Sequence, residues 1–398
     1  MESQSSNENK PRGDLNHNSS SLTSHSSLSL YIHVPFCASK CAYCDFASFP
    51  NREGEWGRYF EALWDELAGW RTRLAGREVA TVFFGGGTPT LVPAECIAGT
   101  LERARTLAPF APDAEITLEG NPGTLTPDKL AAYRQAGVNR LSLGAQSFDD
   151  GLLRALGRIH TAAQVAEGVA MAREAGFENI NLDLMYALPG QTMAQWEATL
   201  DAAIALGVPH LSAYSLIVEE GTPMAARVAR GDAVIPGEDA VNAMQREAVA
   251  RLAAAGYGRY EISNYAKAGH ACRHNLVYWR RGEYLGLGCA AHSLLNETRF
   301  SNPASLEEYL AGRRELDRQA ILPGDAMEET LMLATRTARG LDLSAWEDAF
   351  GAPFGRGAAL RRLERGGFIE IDHGFLRLTL RGMEVQDAVV LELLEAGE

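Results

Sequence analysis

Short apolar runs alternate with amphipathic stretches along most of the chain. The strand-like runs are Leu30–Val34, Val79–Phe84, Glu115–Glu119, Arg140–Leu143, Ile180–Met185 and Leu211–Leu216. Between them, apolar positions recur at helical spacing in Trp56–Leu74, Ala94–Leu107, Ala162–Ala175 and Met193–Leu206. Gly137, Gly176 and Gly207 stand where a helix should stop before the next strand. Six β-α repeats predict parallel strands joined by crossover helices. The polar residues at successive strand ends favour an open, partial (β/α)6 TIM-like barrel over a doubly wound sheet, because barrels build their sites there.

The pattern loosens after Glu220. A helix is expected near Glu238–Ala255, followed by an aromatic segment and the Gly-rich turn YLGLGCAAHS. From about Asp325 the chain reads as helices, a hairpin (FIEID–HG–FLRLT) and a last helix through Leu394, the outline of a winged-helix-like unit. Its acidic character favours packing or protein contact over DNA. The expected division is a Ser/Asn-rich disordered tail over 1–28, a barrel over 29–236, a barrel extension over 237–324, and a C-terminal winged-helix-like domain over 325–398.

Composition narrows the function. The 398 residues carry a formal net charge of −14. That argues against a protein built to grip nucleic-acid phosphates, which needs clustered Lys and Arg. No run is long and apolar enough to span a bilayer. Residues 1–28 lack the apolar core of a secretory signal. Three of the six cysteines fall in one cluster, and Cys96, Cys272 and Cys289 are scattered, so a disulfide framework is not expected. The expected location is the cytoplasm, with membrane contact only through a partner.

The chemistry starts at Cys37, Cys41 and Cys44, a C-x3-C-x2-C triplet in HVPFCASKCAYCDF after the first strand. Three thiolates can hold three irons of a cubane [4Fe–4S] cluster, where a full protein ligand set would be four. The open iron suits chelation by the amino and carboxylate groups of S-adenosylmethionine, whose reductive cleavage is the cofactor's own chemistry. A structural zinc site is the competing reading, with His33 as its fourth ligand, but it usually needs a second ligand pair that is missing here.

One β-α unit later come Gly85-Gly86-Gly87-Thr88-Pro89-Thr90. Glycines at a strand end let backbone approach a zwitterionic ligand closely. Glu119, Gln146, Arg158 and Asp183 follow at or after later strands. Each alone is an ordinary strand-end polar group. Together they form a polar ring suited to ribose hydroxyls and a carboxylate.

These motifs together resemble the radical-SAM group that contains oxygen-independent coproporphyrinogen III dehydrogenase and the HemW-type haem chaperones. The resemblance runs from about Leu30 to the C-terminus. It implies that Cys37, Cys41 and Cys44 ligate the cluster. It also implies that Tyr31, Tyr43, Gly86, Gly87, Thr88, Glu119, Gln146, Arg158 and Asp183 line the S-adenosylmethionine pocket. Ser215 is carried over by position, the residue type there differing in the dehydrogenases.

Two features separate the branches. The dehydrogenases typically have another cysteine two places after the third ligand, where this chain has Phe46. The chaperones carry H-N-x-x-Y-W, here His274-Asn275-Leu276-Val277-Tyr278-Trp279. The resemblance therefore implies a haem chaperone. Haem would be its cargo and a haem-requiring protein, such as a membrane respiratory enzyme, its acceptor. The alternative is the dehydrogenase, which decarboxylates a porphyrinogen oxidatively. A radical-SAM enzyme modifying tRNA or protein is a third reading, weakened by the acidic balance. On its residues alone HNLVYW reads more readily as a packed segment; the resemblance makes His274 a candidate haem ligand, with Cys272 as a competitor; His292 is another, but reads more readily as lining the radical-SAM pocket or capping a turn.

Overall fold

The computed structural model describes residues 27–397. Residues 1–26 of the expected disordered tail lie outside them, and Ser27 and Leu28 open the first strand. Six parallel strands pair in chain order: β1 (Ser27–Val34), β2 (Glu78–Gly86), β3 (Phe110–Gly120), β4 (Arg140–Gln146), β5 (Asn179–Tyr186) and β6 (His210–Ser215). The first and sixth do not pair, so the (β/α)6 unit is open. Later segments extend both edges. The strand β7 (Tyr284–Leu287) joins β1 in parallel and carries the antiparallel series β8 (His292–Leu295), β9 (Thr298–Ser301) and β10 (Leu316–Ala320). On the other edge Asn264–Ala266 and Gly258–Arg259 continue antiparallel from β6, completing twelve strands.

Several strands run longer than their apolar runs. The cause is a two-faced barrel wall. Leu28, Leu30, Ile32 and Val34 of β1 point to the surrounding helices and are buried, while Ser29, Tyr31 and His33 point into the barrel. In β2, Thr81, Phe83 and Gly85 take the same inward positions, by register. A polar lumen breaks the continuous hydrophobic signal that a strand buried on both faces otherwise gives. The helices stop and start where their residues require. Thr161 and Thr192 close capping boxes with Gln164 and Gln195, and Gly137 ends its helix at φ +100°.

The expected helix Trp56–Leu74 is divided at Trp70, into Trp56–Gly69 and Arg71–Leu74. The HNLVYW segment is a short helix, Arg273–Trp279. It lies against the lower part of the barrel lumen: His274 stacks on Phe83 with ring centroids 5.1 Å apart. C-terminal to the sheet, helices from Pro323 onward surround a three-stranded sheet of Leu341–Asp342, Phe375–Leu378 and Ile369–Asp372. Trp346, Leu363, Leu376, Leu378 and Leu393 give this unit its own core. Arg281 joins Glu329 of this unit at 2.8 Å, and Ala338 N–H donates to the Tyr260 carbonyl at 2.9 Å, so it is packed on the barrel extension.

Candidate functional site

The cysteine loop leaves β1 and is fixed by its neighbours. The Gly87 amide donates to Val34 O at 2.9 Å and the Thr88 amide to Phe36 O at 2.7 Å, so the glycine turn grips the start of the loop. A Cβ on Gly87 would stand 2.6 Å from the Phe36 carbonyl oxygen, which explains why no larger residue fits. His33 holds the far end. Its Nε2 donates to Ala47 O at 2.8 Å, which leaves Nδ1 to accept from the Tyr31 hydroxyl at 3.0 Å. His33 is therefore committed on both nitrogens and offers no lone pair to a zinc ion.

The thiols carry donors suited to thiolates. Thr88 Oγ1 lies 3.5 Å from Cys37 Sγ, and Arg158 Nη1 lies 3.5 Å from Cys41 Sγ. The buried Ser48 hydroxyl has no nitrogen or oxygen partner and faces Cys37 and Cys44. Burial pushes the Cys37 and Cys44 thiols up, and the bonds from Thr88 and Ser48 to Cys37, and from Ser48 to Cys44, oppose it. Cys41 raises both through its charge. Among the described residues no trio of His, Cys, Asp or Glu is drawn together at metal-binding distance. What the loop provides is three thiols with a cation and hydroxyl donors around them, a donor set that fits an iron–sulfur cluster once the protons leave.

Two carboxyl groups line the lumen beside this loop. Glu119, at the end of β3, accepts the Gly86 amide at 3.2 Å. Burial and then the nearby Asp183 push its pKa up to about 8. Asp183, in β5, is likewise raised by burial; it accepts from Asn181 Nδ2 at 2.8 Å and Ser142 Oγ at 3.1 Å. Two desolvated acids that repel one another favour a cationic or hydroxyl-bearing ligand, which relieves the cost of ionising them. Arg158 anchors Nη2 on the Gly144 carbonyl at 2.8 Å, and Gln146 turns into the left-handed region (φ +63°) at the end of β4. A Cβ on Gly144 would touch both the Gln146 amide and the Arg158 guanidinium, so these side chains meet over it. The Tyr43 hydroxyl is raised by burial and lies within the fields of Arg158, Cys41 and Asp183.

The structure thus brings Tyr31, Tyr43, Gly86, Gly87, Thr88, Glu119, Gln146, Arg158 and Asp183 to one end of the barrel with the cysteines. Two expected residues stand apart. Ser215 lies opposite Tyr186 in register and beside its hydroxyl. Alternation turns Ser215 away from the lumen and brings in Tyr214, which the field of Asp183 reaches. His274 is buried, with Nδ1 2.7 Å from Thr81 Oγ1 and Nε2 2.8 Å from the Tyr278 hydroxyl. Burial and then Arg140 push its pKa down to about 3. In this arrangement the imidazole has no open lone pair for a haem iron. Cys272 is equally enclosed, with Sγ 3.4 Å from Glu115 Oε1 and its thiol raised to about 12 by burial.

Sequence reasoning missed the residues that support the site. Asn181 donates to Asp183 and to Ser142 Oγ at 2.7 Å, and accepts from His210 Nδ1 at 2.6 Å and Ser212 Oγ at 3.2 Å. His210 Nε2 meets the Tyr260 hydroxyl at 2.8 Å, and that hydroxyl accepts the Cys272 amide at 3.2 Å. A hydrogen-bonded file therefore runs from the start of the HNLVYW helix to Asp183. The alternation Asn181–Asp183 and His210–Ser212–Tyr214 was the available signal.

Residues 31–203 match the Radical SAM superfamily and residues 321–385 the HemN C-terminal domain. The chain is 40% identical to "Heme chaperone HemW" of Escherichia coli (strain K12), over 73% of this chain and 79% of that one. It is 38% identical to "Heme chaperone HemW" of Mycobacterium tuberculosis (strain ATCC 25618 / H37Rv), over 92% and 94%. Among solved structures, coproporphyrinogen III oxidase (HemN) from Escherichia coli, described as a radical SAM enzyme, superposes with a TM-score of 0.81 at 25% identity, covering 92% of this chain and 89% of that one.

Proposed function

Because this chain belongs to the radical-SAM haem-chaperone (HemW) family, we propose that it binds haem as cargo, holds a [4Fe–4S] cluster and S-adenosylmethionine, and hands the haem to a haem-requiring acceptor. The observation that carries this reading is Phe46. It stands two residues past the last cluster cysteine and is 62% exposed. An aromatic side chain left in water beside the cluster loop contributes little to the fold, and it offers a flat apolar surface to a flat apolar cargo.

Cys37, Cys41 and Cys44 would hold the cluster, with Arg158, Thr88 and Ser48 balancing the sulfur charge. Glu119 and Asp183 would take the cationic and ribose groups of S-adenosylmethionine, with Tyr31, Tyr43, Gly86, Gly87, Thr88 and Gln146 forming the rest of that pocket. A cluster held by these cysteines would supply the reducing electron that S-adenosylmethionine chemistry needs. The chain's own residues orient the ligand, exclude water and hold a proton on Glu119 until a cation arrives. Among the described residues no helix is long and apolar enough to cross a membrane; contact with a membrane respiratory enzyme would run through that acceptor, from the cytoplasm.

The test is a haem titration into anaerobically reconstituted protein, followed by transfer to an apo acceptor. Saturation near one haem per chain with transfer is expected. Absence of saturable binding would sink the reading. The fold shared with coproporphyrinogen III oxidase favours a second reading, oxidative decarboxylation of coproporphyrinogen III. Turnover to protoporphyrinogen by cluster-replete protein with S-adenosylmethionine and a reductant would establish it.

A further inference from the structure

The reading above needs a haem ligand, and His274 is closed. Of the nine histidines, His17 and His25 lie outside the described residues. His33, His210 and His274 have both nitrogens engaged. His160 is buried. His270 bonds Ala268 O and sits by the Lys267–Pro209 pairing, before β6 and so at the end of the barrel away from the cluster. His373 is on the C-terminal hairpin beside Asp372. His292 is exposed and makes no side-chain hydrogen bond among the described residues.

Its position follows from register. Phe83, Tyr31 and Gly286 are direct partners across β2, β1 and β7. Gly286 is the next member of the lumen-facing row of Phe83 and Tyr31; Tyr284 pairs with Leu294 on the returning strand, and the Gly286 amide donates to Ser293 Oγ at 2.9 Å. The His292 backbone covers the lumen face of Gly286: a Cβ there would stand 2.1 Å from the His292 carbonyl oxygen. His292 lies close enough to His33 for their charges to interact. His33 in turn holds Ala47, the residue after Phe46. Lys40 donates to the Phe46 carbonyl at 3.1 Å and keeps further ammonium donors free. An open imidazole, an exposed aromatic face and a cation thus flank one side of the barrel mouth.

We propose that haem docks on this side of the mouth, with His292 as its axial ligand, Phe46 against the porphyrin face and Lys40 toward a propionate. This rests on the reading that the chain carries haem. A solvent-open imidazole is a common haem ligand, and a propionate can pair with the Lys40 ammonium beside Phe46.

The experiment titrates haemin into the full chain with its cluster reconstituted, reading the Soret band for affinity and magnetic circular dichroism for the axial ligand. His292→Ala is expected to lose the imidazole signature and to bind at least about tenfold more weakly, with S-adenosylmethionine affinity unchanged. Added imidazole should restore the spectrum, and His292→Met should give a thioether signature instead. Wild-type binding with His292→Ala and His292→Met both retaining the wild-type spectrum and affinity would overturn the assignment while leaving the haem reading intact. No saturable binding by the wild type would overturn both.

Discussion

Arg158 spans two functions at once: its Nη1 lies 3.5 Å from Cys41 Sγ while its Nη2 is fixed at 2.8 Å on the Gly144 carbonyl oxygen. The guanidinium is held by backbone, not by another acid, so its charge remains available to the sulfur and to an anionic ligand group. Arg158→Ala should leave the cluster cysteines in place but weaken S-adenosylmethionine binding by roughly 1.5–3 kcal/mol, the worth of a charged hydrogen bond. Equilibrium binding alongside iron content checks this. An unchanged affinity with full iron content would remove Arg158 from the pocket.

Glu119 should couple ligand binding to a proton. With a pKa of about 8 it is protonated at neutral pH, and a cation arriving beside it favours the carboxylate. Binding of S-adenosylmethionine at pH 7 should release a proton, seen as a calorimetric heat that varies with the buffer's ionisation enthalpy. Glu119→Gln should lose that dependence. The sign for stability is the reverse of the usual carboxylate. The folded value lies above the ordinary 4.5, so the contribution is full below about 4.5 and is lost as pH rises toward 8. Glu119→Gln should therefore gain on the wild type between pH 5 and pH 8 in denaturant titrations. A gap that does not change with pH would show that Glu119 ionises normally.

His274 should behave as a structural residue. Removing it strands the Tyr278 hydroxyl, takes one of two partners from the Thr81 hydroxyl, which keeps Ser29 Oγ at 2.8 Å, and opens space under Phe83. His274→Ala should cost about 2–4 kcal/mol of folding stability, from the cavity and the unpaired groups. Its folded pKa of about 3 lies below the ordinary 6.5, so its contribution is lost as pH falls from about 6.5 toward 3. The variant should accordingly be less sensitive to acid than the wild type in that window. Haem affinity of the folded His274→Ala protein should match the wild type. A tenfold loss without a stability change would return His274 to the role of ligand.

The repeating β-α order and the cysteine loop were legible because parallel strands and three closely spaced cysteines leave strong local patterns. What was not legible arises from contacts far apart in the chain. His274 read on its residues as part of a packed segment and became a candidate ligand only through the family resemblance; nothing near it shows that Thr81, 193 positions earlier, would occupy its Nδ1. Ser215 was one position off, and in a strand one position reverses the side chain, so Tyr214 took its place. Asn181 and His210 read as ordinary strand polar residues. Their meaning depends on β5 and β6 lying side by side with Asn181 opposite His210.

Gly87 is the point where the second motif controls the first. Any side chain there meets Phe36 and Val34 backbone, which has no flexible end to yield. Gly87→Ala should displace the start of the cysteine loop, lowering the iron retained after reconstitution, and should destabilise the fold by roughly 1–3 kcal/mol, as overpacking does. Iron analysis and thermal unfolding check the two effects. Full iron retention would mean that the loop can move without losing its ligands.

Asn181 offers the sharpest probe of the file that supports Asp183. Its amide nitrogen faces Asp183 Oδ1 at 2.8 Å and its oxygen accepts from His210 and Ser212. Asn181→Asp keeps the shape and the acceptor side but turns the donor into a second carboxyl oxygen. Two carboxylates at that distance in a desolvated lumen cannot both ionise, so one retains a proton whose folded pKa lies well above the ordinary carboxylate range. By the sign of the linkage, the variant's stability is greatest at low pH and falls as pH rises through that range. The gap from wild type should therefore widen from pH 5 to pH 8, and S-adenosylmethionine affinity should fall over the same interval. Asn181→Leu, which removes the donor without adding charge, should be destabilised by a similar amount at both pH values. Parallel denaturation of the three proteins distinguishes the cases. If Asn181→Asp tracks Asn181→Leu at both pH values, Asp183 is not held by this residue, and the connection between the HNLVYW helix and the pocket breaks at that bond.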